Sequence, residues 1–160
     1  MVFRGSPLTQ NGAMKPEQDS RETRVNTGAA PAFFEGSCLC GGVRYEVRSR
    51  IRAVSHCHCS MCRKAHGAAF ATYGSVPTGD FVVKAGDGLV RSRGSSPGVT
   101  RTFCSGCGSP LTWHSIHGDA AAWISFSLGT LDTPFTPSKQ RHVHLESAPS
   151  WHGIGEAAPG

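Results

Sequence analysis

Alternation of apolar and polar side chains first becomes regular at Gly42–Val47, "GVRYEV", where Val43, Tyr45 and Val47 fall on one face of an extended chain. Short runs of the same kind recur at Ala69–Tyr73, Phe81–Ala85, Gly88–Arg93, Thr100–Phe103, Ala121–Leu128 and Val143–Leu145. Gly, Pro and Ser separate them, so each predicts a strand. Helical signals are few. The best is Ser60–His66, with Ser60 placed to cap a short helix and Gly67 placed to end it. The pattern therefore predicts a mainly β fold with short helical turns, and no long internal repeat suggests a solenoid.

The ends read differently from the middle. Residues 1–33 are rich in Gly, Pro, Ser, Thr, Asn and charge, cannot offset their ordering entropy by burial, and are expected to form a disordered tail. Residues 34–152 hold the alternating runs, and 153–160 read as a short C-terminal tail. A chain of 160 residues with 38% hydrophobic and 17% charged content suits one globular domain. It has no apolar run of about eighteen residues, the length a membrane-spanning helix needs. The first twenty residues lack the apolar stretch of a secretory leader. A cytoplasmic setting with no membrane partner is expected, and in a reducing compartment clustered cysteines serve as metal ligands or reactive thiols more often than as disulfides. The formal charge of +5 is spread over arginines at 44, 48, 50, 52, 91, 93 and 101 without a block or an evident aromatic stacking platform. This does not favour nucleic acid as a partner.

Seven cysteines occur in three motifs: Cys38-x-Cys40, Cys57-x-Cys59-x-x-Cys62 and Cys104-x-x-Cys107. Residues i and i+2 of an extended chain project to one side, and a C-x-x-C turn with glycine at 106 and 108 brings two thiols to one point. Two pairs supply the four ligands of a closed structural zinc site; three ligands leave a position open to water or substrate. The expected division is Cys38, Cys40, Cys104 and Cys107 around a structural zinc, with Cys57, Cys59 and Cys62 around a second, catalytic one. Two other readings stay open: a histidine could complete the trio and close it, or the trio could be redox-active thiols without metal. His56 and His58 alternate with the cysteines and should point away from them.

Zinc held by three thiolates carries a net negative charge, which weakens it as a maker of hydroxide and suits it to a further sulfur ligand. Coordination deprotonates a thiol. The chemistry that follows is making or breaking a carbon–sulfur bond on a small-molecule thiol. Arg63 and Lys64 could attract an anionic thiol, and a helix at Ser60–His66 would aim its amide dipoles at the thiolates. His142 and His144 are expected on one side of the Val143–Leu145 strand, where one could handle a proton. Phe70, Tyr73, Trp113 and Trp123 could wall a pocket, though aromatic residues on strands are usually core.

The stretches "GSCLCGGVRYEV", "CHCSMCRKAHGAAFATY", "FCSGCGSPLTW" and "LGTLD" together resemble the glutathione-dependent formaldehyde-activating enzyme family, which includes centromere protein V-like proteins. The likeness runs from about Gly36 to Trp151. It implies a β-tent zinc-binding fold in which the first C-x-C and the last C-x-x-C hold structural zinc and C-x-C-x-x-C holds catalytic zinc. It also implies a lyase that joins glutathione to formaldehyde or a related small aldehyde. The alternatives are a zinc-stabilised binding module for nucleic acid or protein, and a lyase using a different thiol or thioether.

Overall fold

The computed structural model describes residues 33–153, so the two expected tails lie outside the described residues except for Phe33 and Gly153. Ten strands and one α-helix are found among the described residues. They run β1 Phe34–Ser37, β2 Arg44–Val47, β3 Ala53–Cys57, α1 Ser60–His66, β4 Ala71–Pro77, β5 Phe81–Ala85, β6 Val90–Ser96, β7 Val99–Cys104, β8 Pro110–Ser115, β9 Trp123–Ser127 and β10 Gln140–Val143. Short 3-10 turns join several of them. The architecture is the mainly β, single-domain one that the sequence predicts.

Two sheets form: β1-β2-β5, and a larger β10-β3-β4-β9-β8-β7-β6. Neighbours are antiparallel except β10 and β3, which pair in parallel with Val143 beside Cys57. The small sheet packs on one face of the large one. Alternation from Val43 through β2 drives this, because Val43, Tyr45 and Val47 are only 0%, 2% and 0% exposed. The Tyr45 ring lies 4.6 Å from Phe81 and 5.9 Å from Phe126 of the large sheet. Burying side chains of this size stabilises by about 1.5–3 kcal/mol each. Thr130 gives its hydroxyl proton to the Ser127 carbonyl, so Tyr45 donates to Thr130 Oγ1 at 2.8 Å and its buried hydroxyl is satisfied.

Several boundaries differ from those expected. The strand predicted at Ala69–Tyr73 instead runs Ala71–Pro77, straight through Gly74. A Cβ there would lie 3.0 Å from the Phe126 ring, so the glycine serves close packing rather than a turn. The strand predicted at Val143–Leu145 is displaced to Gln140–Val143, because His144 adopts φ 59° and Leu145–Ser147 forms a 3-10 turn. The strands β1, β3 and β8 have no counterpart in the sequence reading. Helix α1 has the expected span, but its N-cap is Cys59 rather than Ser60, and Gly67 at φ 60° ends it.

Candidate metal centres and the thiol cavity

The fold gathers the seven cysteines into two groups, Cys38 with Cys40, Cys104 and Cys107, and Cys57 with Cys59 and Cys62. Within each group the sulfurs lie within 4.8 Å of one another, and either could hold a metal ion. All seven are free thiols.

The four-thiol group joins the loop between β1 and β2 to the turn between β7 and β8. Cys38 Sγ lies 3.4 Å from Cys40 Sγ, and Cys40 Sγ 3.9 Å from Cys104 Sγ. Zinc–sulfur bonds of about 2.3 Å at tetrahedral angles put ligand sulfurs about 3.8 Å apart, so this donor set fits zinc. Gly86, at φ 81°, lets one side of the loop close: a Cβ on it would collide with the Gly42 carbonyl. The Cys107 thiol is pushed down to about 6, first by the Ser109 side chain and backbone.

The trio lies at the end of β3 and in the first turn of α1. Cys59 Sγ accepts the Cys62 amide at 3.4 Å, so the helix cap and a candidate metal ligand are one atom. Cys62 is pushed below the ordinary thiol range, chiefly by the Cys57 side chain and then by Arg101, while Cys57 is pushed up, first by Cys62.

These thiols line a cavity of about 340 Å³ on the face of the large sheet away from the small one. Alternation on six strands builds it. Ser75, Ser125, Trp113 and Arg101 form one cross-strand row, and Tyr73, Cys57, Arg141 and Val143 share that face. Met61 of α1 and His144 also line it. The lining contains arginines 101 and 141 and no carboxylate.

Arg101 is only 8% exposed. It donates from Nη1 to the Tyr73 hydroxyl at 2.8 Å, from Nη2 to Cys62 Sγ at 3.4 Å and from Nε to Ser95 Oγ at 3.2 Å. Burial and the nearby Cys62 both raise Tyr73 above the ordinary phenol range, burial most. The sequence reading placed Arg101 among dispersed surface arginines and did not single out Arg141. A signal existed for the first: Val99 and Phe103, two positions either side of Arg101, are apolar.

Other expected participants fall elsewhere. His56 and His58 do point away from the thiols, as alternation predicts: His56 bonds Thr72 and Gln140, and His58 bonds His142. His142 therefore does not share a side with His144. It stacks on His56 at 4.6 Å, behind the sheet. Neither Arg63 nor Lys64 lines the thiol cavity; Arg63 Nε is spent on the His58 carbonyl at 3.1 Å. Of the aromatics, Tyr73 and Trp113 wall the cavity, Phe70 packs on the imidazoles and Trp123 lies under Arg52.

Comparison with known proteins bears on the fold and the family. A Rhodobacter sphaeroides protein of known crystal structure shares the fold at 20% identity and a TM-score of 0.52, over 63% of this chain and 90% of that one. A Halomonas elongata protein bearing the name of a glutathione-dependent formaldehyde-activating enzyme is 34% identical over 131 residues, 74% of this chain and 79% of that protein. The family pattern of glutathione-dependent formaldehyde-activating enzymes matches residues 33–147, which include all seven cysteines and every residue of the cavity named above. The chain belongs to the glutathione-dependent formaldehyde-activating enzyme family.

Proposed function

We propose that the protein is a zinc-dependent carbon–sulfur lyase that joins a thiol to formaldehyde or a related small aldehyde, with glutathione the favoured thiol. The observation that carries this reading is the contrast between the two cysteine groups. Four thiols converge on one another, whereas three open onto a cavity whose fixed charges are cationic. Two zinc ions are proposed, a structural one on Cys38, Cys40, Cys104 and Cys107 and a catalytic one on Cys57, Cys59 and Cys62. When bound at the trio, zinc supplies a soft site that holds a substrate thiol in its thiolate form.

The chain's own side chains do the rest. Arg101 places a fixed positive charge against Cys62, which offsets the negative charge of a three-thiolate centre. Arg141 offers a cation to a carboxylate of the thiol, and a glutathione-like molecule is anionic at neutral pH. Trp113, Val99 and Val143 give the cavity an apolar wall that excludes water around the reacting carbon. The hydroxyls of Ser75 and Ser125 are bonded to each other at 2.9 Å.

The test is the rate of S-(hydroxymethyl)glutathione formation with enzyme, without it, and with Cys59→Ser. The adduct also forms unaided, so the enzyme must exceed the buffer rate. The wild type should carry two zinc ions per chain and the variant one. A wild-type rate equal to the blank would overturn the proposal.

A further inference from the structure

Resting on that reading of the thiol cavity, we infer that His144 is the proton-transferring residue of the reaction, held in place by Glu146. Three observations converge on it.

The first is backbone geometry. His144 is the only non-glycine residue with positive φ among the described residues, at φ 59° and ψ 43°. Such a conformation is uncommon outside glycine and is retained where the surroundings over-determine it.

The second is what that conformation achieves. Along β10, Arg141 and Val143 face the cavity, whereas Gln140 and His142 face the imidazole stack behind the sheet. Continued alternation would send residue 144 behind the sheet with His142. The left-handed turn instead puts His144 on the cavity side, lining the same space as Cys57, Cys59 and Cys62. The parallel pairing of β10 with β3, completed by the His58 amide donating to the Val143 carbonyl at 3.0 Å, fixes where this turn occurs.

The third is the tautomer. His144 Nδ1 lies 3.3 Å from Glu146 Oε1 and donates to it, which leaves Nε2 as the acceptor. A base oriented by a carboxylate through its second nitrogen is the general arrangement for moving a proton to or from a reacting group. The charged or titratable groups around it are Glu146 on its own turn and, lining the same cavity, Arg141 on β10, Arg101 on β7, Tyr73 on β4, Cys57 on β3, and Cys59 and Cys62 at α1.

The step balances without a further reagent. The thiol S–H bond breaks and its proton passes to His144 Nε2. The sulfur electron pair forms the C–S bond while the carbonyl π pair moves onto oxygen. Nε2–H then returns its proton to that oxygen, giving the hydroxymethyl thioether and neutral histidine.

The experiment uses the zinc-loaded full chain with glutathione and formaldehyde. His144→Asn is the informative variant, because asparagine tolerates the left-handed conformation and keeps a polar side chain. Its kcat above the buffer blank should fall about a hundredfold, with zinc content and KM for glutathione unchanged, and added imidazole should restore part of the rate. Glu146→Gln should lower kcat less and shift the pH profile. His142→Gln, on the far side of the sheet, should leave kcat alone. In 15N-histidine spectra, binding of the inert S-(2-hydroxyethyl)glutathione should move the Nε2 resonance of His144 and not that of His142. Wild-type kcat in His144→Asn overturns the inference while leaving the proposed function standing. So does a loss that tracks zinc content and resists imidazole. A wild type no faster than buffer overturns both.

Discussion

Replacing Arg101 with methionine tests whether a buried guanidinium holds the three-thiol centre together. The side chain is 8% exposed and Cys62 4%, so solvent screens their interaction weakly. At the 3.4 Å separation of Arg101 Nη2 and Cys62 Sγ, two unit charges attract by about 5 kcal/mol at an effective dielectric near 20. Removing the arginine also removes the several kcal/mol spent in desolvating it, so the net loss for an anionic zinc–thiolate centre is about 2–3 kcal/mol. That corresponds to zinc binding at the trio weakened by about 30-fold to 150-fold. A separate loss of about 1–3 kcal/mol in folding stability follows from the buried Tyr73 hydroxyl losing its donor. Arg101→Lys keeps the charge but cannot reach Tyr73, Cys62 and Ser95 together, and should lie between wild type and Arg101→Met. The assay is competition with a coloured chelator, which resolves a loosely and a tightly held zinc, beside urea unfolding of the same samples. The four-thiol group makes no hydrogen bond to Arg101, so its zinc is the internal control. If Arg101→Met releases the looser zinc at the wild-type chelator concentration, the guanidinium has no electrostatic part at the centre.

Three further outcomes follow. Cys104→Ser should lower the unfolding midpoint strongly and leave no tightly held zinc, whereas Cys59→Ser should keep the fold, because serine is itself a good N-cap for α1, and lose only the looser ion; circular dichroism with elemental analysis distinguishes them. Gly86→Ala should destabilise by about 2–4 kcal/mol in urea titrations, since a left-handed backbone and a collision with the Gly42 carbonyl both oppose it. His66 and His58 are each held below the ordinary imidazole range, first by burial, so the unfolded chain binds their protons more readily than the folded one. Their contribution is complete above the unfolded value of about 6.5 and is lost as pH falls through the folded values, with a slope approaching 1.4 kcal/mol per pH unit for each excess proton. His66→Gln should flatten the dependence of the unfolding midpoint on pH below about 6.5; an unchanged slope would refute this.

The parts of the fold that could be read from the chain are those whose signal is local. In β2 and β5 the alternation is carried by large apolar residues, and α1 is closed by a glycine where a left-handed cap is needed. The elements missed or displaced carry other duties. β3 holds His56 and Cys57 where apolar residues would announce a strand, β8 opens on Pro110, and β10 is an edge strand reading Gln-Arg-His-Val. The grouping of cysteines was legible for the same local reason: two of the three motifs are pairs and one is a trio. Arg101 and Arg141 were not legible as site residues. What makes them so is a row across four strands and a parallel edge pairing, neither of which has any trace in local spacing. The expected pairing of His142 with His144 on one side failed for a third reason, because the rule of alternation breaks at one left-handed residue.

The same fold treats its two cysteine groups differently, and chain entropy indicates why. Cys40 and Cys104 are 64 residues apart, so a metal between them closes a long loop. By the scaling used for disulfide cross-links, such a closure is worth about 4 kcal/mol against the unfolded chain. Cys57, Cys59 and Cys62 span six positions, and the same scaling gives about 2 kcal/mol for so short a loop. A metal at the first group is therefore bound largely as part of folding, which favours a complete ligand set that never opens. At the second, strand β3, helix α1 and its αL cap at Gly67 already place the thiols. Exchange of a ligand there would cost the fold little, which suits the proposed role, because a centre that admits and releases a substrate sulfur on every turnover belongs where the structure does not depend on it.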